Sequence, residues 1–152
     1  MNLTNDYIII AKDASVDAND QMVSINKIID NMTFGVRKEE FDKAVALSQG
    51  KPIALPIAYT IASSWRSDRN VAKSFPFKLN VKLMDPDGVT LNENSQEAMM
   101  AEGNNAVRFN INVQGFPVTK PGTYKYVLSA VDDQGKELAK GATQVNVDLK
   151  VE

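Results

Sequence analysis

The sequence alternates apolar and polar residues almost strictly in four separate segments, and this pattern constrains the fold more than any other feature. In residues 75–83 every odd position is apolar, and the even positions are Pro, Lys, Asn and Lys. The same alternation runs through residues 107–113, 124–128 and 145–151. Successive side chains of a β-strand point to opposite faces, whereas a helix would spread these residues around its circumference. Each segment is therefore predicted to be a strand with one buried and one exposed face.

Three earlier segments, residues 7–12, 22–34 and 57–61, are also predicted to be strands, although their alternation is less regular. In the second of them, two adjacent isoleucines at positions 28 and 29 break the alternation. A β-bulge or a bend between two sheets produces such a break. We therefore predict an interruption near residues 27–30.

Turn-forming sequences separate these strands at residues 13–20, 85–88, 120–122 and 132–135. Asp, Asn, Pro and Gly favour turns because their side chains or backbones suit tight dihedral angles. In the Asp-Pro-Asp-Gly sequence at 85–88, proline suits the second turn position and glycine suits the last. This sequence predicts a tight turn or a hairpin.

One segment has the spacing of a helix rather than of a strand. In residues 37–48, Phe41 and Val45 fall on one helical face and charged residues fall on the other. Gly50 and a proline two residues later follow, and both are typical of a helix end. We predict a short amphipathic helix at 37–48, and a long loop or a second helical turn at the polar residues 92–104.

Length and element count together define the fold class. A chain of 152 residues is about one domain long and buries enough surface to fold without disulfides or metals. Seven or eight strands, about one helix and no alternation of strands with helices point to a mainly β protein. We predict a single domain over residues 1–152, folded as an antiparallel β-sandwich of immunoglobulin-like or Greek-key type. A closed barrel is the alternative.

Composition excludes several kinds of chemistry. The chain has no cysteine and no histidine, which excludes thiolate nucleophiles, Cys/His zinc sites, imidazole bases and Ser-His-Asp triads. A formal net charge of −2, from charges scattered along the chain, provides no large positive field for nucleic acid. None of the eight glycines forms a phosphate-binding motif. We predict no cofactor and no nucleic-acid partner.

The N-terminal residues suggest where the protein is found. They have no basic region, and their longest apolar run is residues 7–11. A membrane-spanning helix needs about 20 apolar residues, and a signal peptide needs a longer apolar run than this one. The prediction is a cytoplasmic protein with no membrane partner.

Residues 120–138, which begin Lys-Pro-Gly-Thr-Tyr, resemble the penultimate hairpin of bacterial immunoglobulin-like modules. In those modules a Pro-Gly-x-Tyr sequence opens a strand. The resemblance implies that Tyr124 lies near a strand start, as in a tyrosine corner.

A wider resemblance covers most of the chain. It rests on a Met-Val-Ser-Ile-Asn strand at 22–26, a Pro-Ile-Ala-Tyr strand at 56–59, the Leu-Met-Asp-Pro-Asp-Gly turn at 83–88 and the Pro-Gly-Thr-Tyr strand, in this order. With these features the chain resembles a family of small bacterial β-sandwich proteins described only as a domain of unknown function. The resemblance implies a sandwich and a bacterial or phage origin, and it implies no catalytic residues.

Carboxylates are the first candidate site. The predicted loops contain seven aspartates: Asp13, Asp17, Asp20, Asp85, Asp87, Asp132 and Asp133. Aspartate oxygens on sandwich loops can bind Ca²⁺, but aspartate is also frequent in turns because its side chain caps its own backbone. Their spacing matches no EF-hand, so we favour the turn role. Glutamates for a glycosidase-like pair are present, but charges this numerous normally solvate the surface.

The second candidate site is the sequence Ser-Ser-Trp-Arg-Ser-Asp-Arg at 63–69, which contains the only tryptophan of the chain. Trp and Arg are enriched where proteins contact their partners. Trp65, Arg66 and Arg69 are therefore the predicted partner-binding residues. In the alternative, which we consider the more frequent outcome, Trp65 packs into the core and both arginines are solvated.

No constellation of catalytic residues emerges from these patterns. The leading hypothesis is a non-catalytic binding or interaction module that recognises an unidentified protein or small molecule. A self-assembling structural component, which would form a homo-oligomer through its sheet edges, is the second hypothesis. A carboxylate-based or Ca²⁺-dependent enzyme is the third.

Overall fold

A computed structural model describes residues 2–17, 19 and 22–151 of the protein. Within these residues the chain forms nine strands and one helix. In chain order they are β1 Leu3–Val16, β2 Val23–Ile28, β3 Asn31–Val36, α1 Lys38–Leu47, β4 Ile53–Ser67, β5 Phe75–Met84, β6 Thr90–Met100, β7 Ala106–Val118, β8 Gly122–Val131 and β9 Glu137–Val151.

The strands form two sheets, as the predicted β-sandwich requires. The first sheet has the order β2-β1-β4-β7, and the second has the order β3-β9-β8-β5-β6. The four strictly alternating segments are confirmed as β5, β7, β8 and β9. The strand pairs are antiparallel except β3 and β9, which pair in parallel. The sandwich is therefore mainly antiparallel, and the single parallel pair was not predicted.

The parallel pair arises where the chain changes sheets between β2 and β3. Lys27 has a φ of 56°, which turns the backbone sharply at the end of β2. The amide of Ile29 still donates to the carbonyl of Ile10 in β1, at 2.7 Å. One residue further, the carbonyl of Asp30 accepts from the amide of Asn146 in β9, at 3.0 Å. The predicted interruption at residues 27–30 is therefore a bend between sheets.

The order of six of the nine described strands matches the immunoglobulin type of sandwich. In that type, strands A, B, E and D form one sheet, and C, F and G form the other. Here β1, β4 and β7 correspond to A, B and E, while β5, β8 and β9 correspond to C, F and G. In the described part of the chain no strand lies beside β7 where strand D would lie.

Large apolar side chains on the inward faces of the alternating strands fill the space between the two sheets. The largest fully buried ones are Trp65, Tyr59, Tyr124, Phe77 and Phe116. Apolar surface removed from water stabilises a protein by roughly 25 cal/mol per Å², so these residues contribute much of the folding free energy.

Two segments are more extended than predicted. A loop or a helical turn was predicted at residues 92–104, but residues 90–100 form the strand β6. The backbone of β6 pairs with β5 from Phe75 to Met84. The periodic pattern was weak there because most of the side chains of β6 are exposed. Residues 13–16, predicted as loop, continue β1 and pair with β2.

The predicted helix is confirmed as α1. It begins at Lys38 and ends at Leu47, and Ser48 follows as its C-cap with an amide that donates to the carbonyl of Ala44 at 3.0 Å. No residue of the helix is buried, and Leu47 is 83% exposed. The helix therefore lies on the surface of the sandwich and contributes little to the core.

A glycine in β9 allows the two sheets to approach each other. A Cβ atom on Gly141 would lie 2.8 Å from both Cγ of Asn5 and Cδ1 of Ile8. Asn5 cannot easily move away, because its Nδ2 donates to the carbonyls of Tyr7 and Ser64, each at 3.1 Å. These bonds span the β-bulge in β1 between Asn5 and Tyr7.

We expect Gly141→Ala to lower the free energy of unfolding by about 1–2 kcal/mol, because the added methyl group overpacks this contact. Urea denaturation measures the loss. Gly35→Ala is the matched control, since a Cβ on Gly35 of β3 meets no atom within 4 Å. Equal denaturation midpoints for the two variants would contradict the prediction.

Candidate functional site

A groove of about 330 Å³ opens between β6 and β7, at one edge of the sandwich. Ile111 and Val113 of β7 form its apolar wall, and Val81 and Leu83 of β5 are also apolar lining residues. The opposite wall consists of polar side chains from β6. The described lining residues are all uncharged, so the groove suits a neutral ligand.

The groove exists because β7 crosses the other sheet diagonally. At one point of β7, the ring of Phe109 packs edge-on against Phe77 of β5, with 6.2 Å between centroids. Nearer its end, the ring of Phe116 packs against Tyr124 of β8, with 5.2 Å between centroids. Because β8 lies one strand further from β6 than β5 does, β7 and β6 diverge toward the Phe116 end.

Three amides of β6 occupy positions that normally face a core. Asn92, Asn94 and Gln96 are opposite Leu83, Val81 and Leu79 of β5, respectively. Directly paired residues lie on the same face of a sheet, and these three residues of β5 are buried. The amides are exposed and line the groove. Asn94 Nδ2 donates to the side-chain oxygen of Asn92 at 3.4 Å, and the remaining N–H donors and carbonyl acceptors of the three amides are available to a ligand.

Two tyrosine hydroxyls meet beside the groove. The hydroxyl of Tyr59 on β4 hydrogen-bonds to that of Tyr126 on β8, and both residues are almost completely buried. Tyr126 also lines the groove. Burial raises the pKa of Tyr126 above its ordinary value, and its contact with Tyr59 adds to this effect. Burial likewise raises the pKa of Tyr59, and the hydrogen bond to Tyr126 opposes it.

These raised pKa values predict a loss of stability at high pH. Below pH 10, about the pKa of an unfolded tyrosine, both states keep their protons. Above it, the unfolded chain releases protons that the folded chain retains, so the free energy of unfolding falls by up to about 1.4 kcal/mol per pH unit per tyrosine. We expect Tyr126→Phe to show a shallower fall in urea denaturation between pH 9 and 12. Parallel curves for the variant and the unchanged protein would contradict this.

Aspartates act as turn caps in this structure. The Asp85 carboxylate accepts from the amides of Asp87 and Val89, each at 2.9 Å. The Asp132 carboxylate accepts from the amides of Gln134 and Lys136, at 2.9 and 2.8 Å. These contacts confirm the turn role for both loops.

In the loop after β1, the Asp17 carboxylate accepts from the amide of Asn19 at 2.8 Å, which is again a turn cap. Asp13 lies in β1 opposite Asn26 of β2, and its carboxylate accepts from Asn26 Nδ2 across this strand pair at 2.6 Å. Asp20 lies outside the described residues. Within residues 2–17, 19 and 22–151, no three carboxylates come close enough together to hold a metal ion.

The predicted partner-binding residues do not converge on one site. Trp65 is 0% exposed, and its indole N–H donates to the hydroxyl of Ser63 at 3.0 Å. Its side chain therefore has the core placement of the alternative and offers no surface to a partner. Arg66 pairs with Asp6 at 3.1 Å and lines a depression of about 320 Å³ together with Arg108.

Arg69 is exposed and lines a different depression, of about 580 Å³. A single segment, Arg69 to Lys73, lines that depression, so it presents a loop surface and not a groove between elements. A partner contact at Arg66 and Arg69 stays a prediction.

The groove was not predicted from the sequence, although the spacing of three amide residues could have indicated it. Asn92, Asn94 and Gln96 are spaced two residues apart, as side chains on one face of a strand are, although the residues between them are polar as well. Because residues 92–97 are all polar, they show no alternation of apolar and polar residues, and the prediction for residues 92–104 was a long loop or a second helical turn. A strand whose inward face is polar marks a place where a sandwich does not close.

Together, the strand order and the edge groove define a small immunoglobulin-like β-sandwich with an uncharged cleft between two edge strands. The chain belongs to the family of unknown function DUF6941, whose model matches residues 45–140. That span contains β4 to β8, and therefore both walls of the groove. Among curated proteins, none matches the sequence.

Several solved structures that are similar to this chain are much longer enzymes. A calcium-binding mutant of Bacteroides uniformis β-glucuronidase 2 gives a TM-score of 0.50 at 14% identity, over 63% of this chain and 12% of that chain. Listeria innocua β-glucosidase gives 0.47 at 7% identity, over 99% of this chain and 16% of that one. The chain thus spans a small fraction of these enzymes, and the first likeness shows the fold alone.

The described residues contain no helix long and apolar enough to cross a membrane.

Proposed function

We propose that this protein is a non-catalytic binding module and that the groove between β6 and β7 is its ligand site. The observation that carries the proposal is the placement of three amides opposite buried leucine and valine residues, on a face that no strand covers in the described chain. Ligand sites typically combine an apolar surface with a few polar groups that orient the ligand. The apolar wall of β7 and the amide wall of β6 supply both.

The chemistry of the groove favours binding over catalysis. Its lining side chains are apolar groups, amides and hydroxyls, and general acid–base catalysis usually needs a group that titrates near neutral pH. The titratable lining group, Tyr126, has a raised pKa, so it is held protonated and acts as a hydrogen-bond donor. Such a site can orient a neutral molecule but offers it no base.

Nuclear magnetic resonance with small neutral probes tests this proposal. The ¹⁵N-labelled protein is titrated separately with N-acetylvalinamide, methyl β-glucoside and hexanol, each at millimolar concentration. We expect at least one probe to shift the backbone amide signals of residues 92–96 and 111–113. Shifts confined to other regions, or no shifts from any probe, would contradict the proposal.

A pair of variants on β7 locates the site. Val113→Phe adds a ring on the groove side of the strand and should abolish the shifts. Gln114→Phe adds the same ring on the exposed outer face, where Gln114 pairs with Ala58, and should leave the shifts unchanged. Equal behaviour of the two variants would place the probe outside the groove.

A further inference from the structure

We propose that the natural ligand of the groove is an extended, uncharged segment of another protein, which lies along β7 as an added strand. This inference rests on the binding function proposed above and names its ligand class. The segment would occupy the position of strand D in an immunoglobulin-type sheet, beside the strand that corresponds to E.

The first argument is the incomplete sheet. The order β2-β1-β4-β7 leaves β7 with an unpaired backbone edge in the described chain, next to the exposed inward face of β6. Free N–H and C=O groups on such an edge pair readily with an incoming extended chain. A strand placed there would also cover Ile111 and Val113, whose inward side chains are only partly buried.

The second argument is the spacing of the amides. Asn92, Asn94 and Gln96 repeat every second residue, which is about 6.6–6.8 Å along a strand. An extended peptide presents the side chains of one face at the same spacing. Its inward side chains can therefore meet the amides one by one, whereas a compact ligand would reach only one or two of them.

The third argument is a hydroxyl proton without an acceptor. Tyr59 and Tyr126 hydrogen-bond to each other, so one of their two protons satisfies that bond. Within residues 2–17, 19 and 22–151, neither hydroxyl has another hydrogen-bond partner. Tyr126 lines the groove, so when Tyr59 donates, the Tyr126 proton is free for a ligand. A backbone carbonyl or a threonine hydroxyl of the segment supplies the missing acceptor.

The uncharged lining limits the composition of the segment. A charged side chain facing this groove would lose water without gaining an opposite charge. Residues that combine a methyl group with a hydroxyl, as threonine does, suit both the apolar wall and the amides. We therefore expect alternating β-branched residues with few or no charges.

Isothermal titration and the same resonance signals test the inference with a designed probe. The probe is an acetylated and amidated heptapeptide of alternating threonine and valine. Two control peptides have the same length: one carries lysine in place of valine, and one carries N-methyl groups that remove alternate backbone N–H donors. We expect shifts at residues 92–96 and 111–115 with the probe, and binding at least tenfold weaker with each control.

Variants of the groove complete the test. Asn94→Leu removes one amide and should weaken peptide binding by about fivefold to tenfold, the effect of losing about one hydrogen bond. Tyr126→Phe removes the free proton and should act similarly. Asn110→Leu makes the same amide-to-leucine change on the outer face of β7 and should not affect binding.

The outcomes separate this inference from the proposed function. If small probes shift groove signals but the heptapeptide does not bind there, the binding function stands and the peptide inference is wrong. If the N-methylated control binds as well as the probe, strand addition is wrong. If the heptapeptide binds along β2 or β3, which are also edge strands, the inference is again overturned. If no small probe and no peptide reaches the groove, both proposals fail.

Discussion

Replacing Trp65 with alanine is expected to lower the free energy of unfolding by about 3–5 kcal/mol, a large part of the roughly 5–15 kcal/mol of a typical domain. Trp65 is the largest fully buried side chain of the protein. Its position on β4 pairs with Asn5 of β1 on one side and with Val107 of β7 on the other, so it lies in the middle of its sheet. Removing the indole leaves a cavity and leaves the Ser63 hydroxyl without its donor.

Guanidinium denaturation at neutral pH measures this loss, and Arg66→Ala is the control. Arg66 follows Trp65 in β4, but its side chain is 48% exposed and its ion pair with Asp6 lies at the surface. Exposed ion pairs contribute about 0–1 kcal/mol, so the control should remain close to the unchanged protein. If both variants lose the same stability, Trp65 does not have the core role that its burial indicates.

Tyr124→Phe is expected to lower the free energy of unfolding by about 2–3 kcal/mol, although it deletes a single oxygen atom. The Tyr124 hydroxyl donates to the carbonyl of Lys120 at 2.6 Å. It also accepts from the amides of Thr119 and Lys120, at 2.9 and 3.1 Å. Removing it leaves three backbone groups without their partner at the turn between β7 and β8.

Thermal and urea denaturation of this variant are compared with those of Tyr7→Phe. Tyr7 is a partly buried tyrosine of β1 whose hydroxyl has no hydrogen-bond partner among the described residues. The same deletion there should cost no more than about 0.5 kcal/mol. A Tyr124→Phe variant as stable as Tyr7→Phe would show that the corner does not stabilise the turn. The tyrosine corner implied by the Pro-Gly-Thr-Tyr sequence is confirmed in geometry by these contacts.

Local patterns in the sequence were sufficient for the strands that have a buried face. Residues 75–83 and 145–148 alternate because one side of each strand packs against the opposite sheet. The turns at 85–88 and 132–135 were also predicted from the local sequence, because the side chain of an aspartate can accept hydrogen bonds from backbone amides of its own turn. In both cases the pattern that predicts the structure spans only a few neighbouring residues.

The sequence pattern did not predict which strands that are distant in the chain pair with each other in a sheet. The parallel pair of β3 and β9 joins Asn31 to Asn146, two residues that lie 115 positions apart in the chain. Alternation shows that a segment is a strand and which face it buries, but not which strand lies beside it. Trp65 illustrates the same limit: a tryptophan next to an arginine is compatible with an interface or with a core, and only its surroundings decide.

The sequence alone determined that this protein is a β-sandwich without cysteine or histidine chemistry, because alternation and composition are properties of the chain itself. Only the tertiary structure decided that the sandwich is open between β6 and β7. That opening depends on how two sheets of unequal strand number cross each other. The amides of β6 became candidate ligand contacts only when the structure left the space in front of them unfilled.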